Sequence, residues 1–180
     1  MISAPWYDMD PEAVLAGHTK ALPRKIVSGG QTGVDRAALD VALEAGLPCG
    51  GWCPRGRLAE DGPIAGRYPL QETESADYAE RTRLNVRDTD GTLVLTRGRP
   101  DGGTALTLRL ARAMRRPLMV VNIEGGAAAE GVRAWIEAGD IATLNVAGPR
   151  QSTAPGIHAE AAAFIKEFLG IIPRGADHDS

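Results

Sequence analysis

Five short apolar runs, at residues 25–28, 48–53, 92–96, 117–123 and 142–147, alternate along this chain with stretches whose apolar residues recur every three or four positions. In 35–45 the stripe is Ala38, Leu39, Ala42 and Leu43, and 75–87, 104–115, 130–138 and 158–169 read as helices in the same way. Gly46, Gly139 and Gly170 stand just past three of these stretches, where a helix ends most easily. Short continuous apolar strands need cover on both faces, and helices between them provide it. The alternation predicts an α/β fold: one Rossmann-like, doubly wound domain with a mostly parallel sheet of about five or more strands. A length of 180 residues, 43% of them hydrophobic, suits one such core.

The expected organisation is an N-terminal arm over 1–23 with a short helix at 10–18, a ligand-binding domain over 24–170, and a polar tail over 171–180. Gly/Pro-rich stretches at 50–68, 98–103 and 148–156 exceed minimal turns, which marks them as candidate functional loops. In a parallel sheet the loops leaving the strands gather at one edge. A flavodoxin-like strand order would set Gly29–Gly33 opposite Gly102-Gly103-Thr104 across the switch point.

Charge narrows the partners. The net charge is −3 and no Lys/Arg block stands out, so nucleic acid is not an expected partner. Aromatic residues make up 4% of the chain, too few for a base-stacking platform. A secretory leader and a membrane span are not expected, which predicts a cytoplasmic protein. Cys49 and Cys53 lack a second pair, so they read as free thiols, and no structural metal is expected.

The chemistry concentrates in glycine turns. Ser28-Gly29-Gly30-Gln31-Thr32-Gly33-Val34-Asp35 runs from an apolar stub through glycines into a helix. Glycines let the backbone approach a ligand, and a helix start offers unpaired N–H groups and a positive dipole end, so the run reads as a phosphate cradle. It is neither G-x-x-x-x-G-K-[ST] nor G-x-G-x-x-G. Asp101-Gly102-Gly103-Thr104 is a second glycine turn onto a helix, able to grip the same phosphate with the hydroxyls of Ser28, Thr32 and Thr104. Arg150 and Ser152 follow the last strand, and Arg55 the second. Beside Arg55, Glu60 and Asp61 could read an amino-pyrimidinone ring edge or hold a loop in shape. No Ser/His/acid arrangement stands out, and no residue is assigned a catalytic role.

The strings Ser28-Gly29-Gly30-Gln31-Thr32-Gly33-Val34-Asp35-Arg36, Trp52-Cys53-Pro54-Arg55-Gly56-Arg57, Ala59-Glu60-Asp61-Gly62 and Leu144-Asn145-Val146-Ala147-Gly148-Pro149-Arg150, with Arg81-Thr82 and Gly103-Thr104, resemble the molybdenum cofactor carrier family from about Arg24 to Leu169. The resemblance implies a Rossmann-like fold shared with lysine-decarboxylase-like phosphoribohydrolases and DNA-processing protein A. It also implies a homo-oligomer, dimer or tetramer, that holds molybdenum cofactor (molybdopterin) and passes it to a molybdoenzyme acceptor. The phosphoribohydrolases are similar but carry P-G-G-x-G-T-x-x-E. Here Ala105, Leu106 and Thr107 follow Gly103-Thr104, so their glutamate is missing.

The reading is therefore a binder of a phosphorylated heterocycle that leaves its ligand unconverted. Two alternatives stay open: a nucleoside 5'-monophosphate hydrolase in which Glu60 or Asp61 substitutes for the missing glutamate, and a nucleotide-sensing module.

Overall fold

Residues 22–124 and 129–171 are described by a computed structural model. The helix expected at 10–18 lies outside them.

Among the described residues the strands are β1 (Lys25–Val27), β2 (Cys49–Cys53), β3 (Leu58–Ala59), β4 (Gly62–Pro63), β5 (Leu70–Glu72), β6 (Gly91–Thr96), β7 (Leu118–Asn122) and β8 (Thr143–Ala147). The helices are α1 (Val34–Glu44), α2 (Tyr78–Arg87), α3 (Gly102–Ala113), α4 (Ala129–Ala138) and α5 (Ile157–Phe168). Six strands form one sheet in the order β5-β2-β1-β8-β6-β7, with every neighbouring pair parallel. This is the α/β Rossmann-like architecture expected, and each apolar run named above supplies a strand. Missing from the expectation are β5 and the β3–β4 hairpin. β5 is three residues with Gln71 and Glu72 exposed, so it carries no apolar run to read.

The strand order corrects a flavodoxin-like arrangement. The last strand, β8, lies between β1 and β6, pairing Ile26 with Leu144 on one side and Leu93 with Val146 on the other. Leu144, Asn145 and Val146 are all buried, whereas β7, from a longer apolar run, sits at the sheet edge. The switch point falls between β1 and β8, so the loop after β8 faces the first glycine turn directly.

The two faces differ in chemistry. Ile26, Leu93, Leu95, Leu144 and Val146 point to the side covered by α1, α4 and α5, where they join Val34, Val41, Val132, Ile136, Ile157, Ile165 and Phe168 in one apolar cluster. Strand alternation turns Thr92, Val94, Thr96 and Asn145 to the opposite face, over which α2 packs against α3. Those helices bury Thr82, Asn85, Thr104 and Thr107.

Candidate functional site

Helix α1 begins at Val34, capped by Gly33, which adopts φ +77. A Cβ there would lie 2.3 Å from the Pro149 carbonyl oxygen, so only glycine allows this close crossing. The Val34 amide donates to that carbonyl at 3.2 Å. One residue on, the Asp35 carboxylate turns back beneath the glycine turn and accepts from Arg81 Nη1 at 2.9 Å. Asp35 and Arg81 have side-chain exposures of only 4% and 14%. Burial pushes the Asp35 carboxyl above its ordinary value, against the pull of Arg81 and of the Gln31 and Gly29 backbones. Arg81 Nη1 lies 1.5 Å from where a Gly29 Cβ would stand. Part of the cradle expected for phosphate is thus filled by the chain's own ion pair.

A second set of contacts ties the loops together. Gln31 Oε1 accepts from the Thr32 amide at 3.0 Å and the Glu60 amide at 2.9 Å. The Glu60 carboxylate accepts from the hydroxyls of Thr32 and Ser152 and from the Ser152 amide, with Arg150 Nη1 3.8 Å away. Burial alone would raise the Glu60 carboxyl, but the Ser152 and Thr32 hydrogen bonds with Arg150 hold it below the usual glutamate range. Asp61 is held low by Arg36, which donates to both its oxygens. Glu60 and Asp61 line an open depression of about 720 Å³ with Arg36 and His158.

The cleft of interest lies on the other side of this clasp, under α2 and α3. It encloses about 180 Å³, lined by Gln31, Asp35, Tyr78, Arg81, Asp101 to Thr104, and Gly148 to Arg150 among others. Gln31 and Thr104 are 7% and 5% exposed. Among the described residues Gln31 has committed its Oε1 but makes no bond through Nε2, and the Thr104 hydroxyl makes none. Neither atom is sealed from solvent, whereas Arg81 Nε is buried and without a partner among the described residues. Asp101 precedes α3 without a side-chain capping bond, leaving the first amides of α3 unsatisfied. A guanidinium, an amide, a hydroxyl and a helix N-terminus therefore converge on one small space, a donor set suited to a phosphate. The wider groove between α1 and α5, about 1000 Å³, is lined by alanines and scattered charges and offers no such convergence.

Of the residues expected at a ligand, Gln31, Asp35, Gly102, Gly103, Thr104 and Arg150 line the cleft. Thr32, Gly33, Glu60, Asp61 and Ser152 lie on the clasp. The buried Ser28 hydroxyl is spent on the Val146 carbonyl at 2.7 Å. Gly29 and Gly30 admit neighbours: Arg81 crosses the first, and Leu70 and Ile64 pack on the second. Arg55 is exposed and lines neither cleft, its amide bonded to the Ser75 carbonyl. Its neighbour Arg57 braces the hairpin loop through the carbonyls of Ile64, Ala65, Tyr68 and Leu70.

Tyr78 carries no signal in the sequence analysis; Arg81 enters there only within the family resemblance and Asp101 only as the start of the second glycine turn, neither with a role of its own. The signal for Arg81 was present: Tyr78, Arg81, Thr82 and Asn85 form one helical stripe, and an arginine inside it must find a partner indoors. Cys53 is buried and Cys49 half-buried, both free. Among the described residues no group of three or more His, Cys, Asp or Glu could hold a metal ion, and no helix is long and apolar enough to cross a membrane.

Comparison with known proteins agrees with this architecture. The model of the circularly permutated YpsA SLOG family matches residues 26–169. A solved structure from Syntrophus aciditrophicus SB, described as a "Putative molybdenum carrier protein", is similar with 43% identity and a TM-score of 0.78, over 82% of this chain and 95% of that one. No curated protein matches.

Proposed function

The chain belongs to the circularly permutated YpsA SLOG family, and from that premise we propose that its cleft binds a phosphorylated heterocycle, molybdenum cofactor (molybdopterin), and carries it unconverted. The observation that carries the reading is the unspent donor set of Gln31 Nε2, the Thr104 hydroxyl and the N-terminus of α3 around one space whose wall includes the Arg81 guanidinium. At about 180 Å³ the cleft is smaller than the roughly 300–1,000 Å³ of pockets that swallow a whole ligand. It takes the phosphate end, and the ring lies at the mouth, where exposed Tyr78 offers a face for stacking. Arg150 adds charge at the rim. On this reading the protein is a cytoplasmic homo-oligomer that hands its ligand to a molybdoenzyme acceptor.

One observation favours a second reading, hydrolysis of a nucleoside monophosphate. Asp101 lines the cleft with an exposed carboxylate that makes no ion pair among the described residues, free to act as a base. Glu60 and Asp61, the substitutes considered from sequence, are engaged in the clasp.

Thermal unfolding with molybdenum cofactor, molybdopterin and a panel of nucleoside phosphates, followed by assay for free base, separates the readings. A ligand at a hundred times its Kd adds about 2.7 kcal/mol, a rise of roughly 5–10 °C for a domain of this size. A rise confined to the pterins is expected. A rise with nucleotides and no product would make this a nucleotide sensor, and free base abolished by Asp101→Asn would make it a hydrolase.

A further inference from the structure

The cleft is not the only place where charge is concentrated. Between Gly102 and Ile123 the chain carries Arg109, Arg112, Arg115 and Arg116 and no acidic residue, although the whole protein has a net charge of −3. All four are exposed and none forms a salt bridge among the described residues; Arg116 donates to the Arg87 carbonyl at 2.5 Å. α3 packs on β6 and β7. Among the described residues β7 is an edge strand, so one row of its backbone N–H and C=O groups has no strand partner there. Because Met119 and Val121 point into the apolar cluster, Leu118 and Val120 face the α3 side of the sheet. Val120 remains 42% exposed there.

An open strand edge with an exposed Val120 and a half-buried Leu118, following a helix and turn that carry exposed arginines, has the composition of a protein interface. We propose that the α3–β7 edge docks an extended acidic segment of a partner protein, which pairs with β7 and sets its carboxylates against these arginines. A second copy of the chain is the poorer occupant, because a two-fold contact would set the arginines of one face against those of the other. Nucleic acid is poorer too, since residues 102–123 contain no aromatic side chain to stack a base. The inference does not depend on which ligand fills the cleft.

The test uses the full chain and a fluorescein-labelled oligoglutamate peptide, followed by anisotropy, with oligolysine, a labelled DNA duplex and phosphatidylserine vesicles alongside. The peptide is expected to bind in a salt-dependent way and to lose about tenfold or more in affinity for Arg109→Glu/Arg112→Glu. Arg24→Glu, an exposed reversal elsewhere, leaves binding unchanged. If the double reversal does not fold, Arg109→Gln/Arg112→Gln takes its place with a smaller loss. Absent peptide binding, equal binding by the folded variant, or tighter binding of duplex or vesicles would overturn the proposal. So would an oligomer that the double variant dissolves, which would reassign the face to a contact between copies.

Discussion

The two faces of the sheet are built on opposite terms. Under α1, α4 and α5 the interior is aliphatic and aromatic, and its stability follows from the area removed from water. Under α2 and α3 the interior is threaded with Thr82, Asn85, Thr92, Thr96, Thr104, Thr107 and Asn145, which must find hydrogen-bond partners indoors. Asn145 reaches Thr92 at 3.3 Å, Asn85 receives the Trp52 amide at 2.7 Å, and Thr107 bonds the Gly103 carbonyl at 3.0 Å. Where the bonding is incomplete, at Thr104, Gln31 and Arg81, the cleft opens. One face holds the fold together; the other gives up some packing for polar groups left free to take a ligand.

Substitutions on the two faces should part company accordingly. Phe168→Ala, on the apolar side and fully buried, should cost about 3–5 kcal/mol and lower the melting midpoint by roughly 10 °C, with ligand affinity of the folded fraction unchanged. A matching loss of affinity by calorimetry would show that the faces are coupled. Arg81→Met strands the Asp35 carboxylate and should also cost about 3–5 kcal/mol, but with affinity lost. Adding Asp35→Leu should restore most of the stability and none of the binding; recovered binding would remove Arg81 from the site.

Glu60→Gln should cost about 1 kcal/mol near neutral pH. Because the folded carboxyl titrates below its unfolded value of about 4.3, its contribution is present above that pH and disappears as pH falls through the lower folded value. The gap between wild-type and variant melting midpoints should therefore be constant at neutral pH and close in acid. A gap that widens in acid would mean the clasp does not depend on the charge. The smallest effect on stability belongs to Thr104→Val, within about 1 kcal/mol of wild type because its hydroxyl has no partner among the described residues, yet phosphate-ligand affinity should fall by roughly tenfold.

How far the sequence could be read follows the same division. Strands and helices were legible because apolar periodicity is a local signal, and the five runs fell where β1, β2, β6, β7 and β8 lie. Strand order was not, since nothing within residues 143–147 states which strands they will separate. In the site, the glycines correctly marked a crowded backbone, but sequence cannot distinguish a glycine that admits a phosphate from one that admits Arg81, as Gly29 does. Glu60 was legible as a residue with a partner, and which partner depended on bringing a hairpin tip to residues about 90 positions away. Arg55 and Arg57 look alike in sequence, and only the left-handed turn at Arg57 folds one of them inward.

The place of β8 also sets a schedule for the chain's synthesis. Until residues 143–147 have left the ribosome, the sheet lacks its centre: β1 has only β2 and β5 on its side and β6 only β7 on the other, with nothing yet to bridge their inner edges. Among the described strands the one that joins them is the last made, so the inner edges of β1 and β6 stay without their partner from the completion of β6 until β8 emerges, and the sheet closes in a late, long-range step.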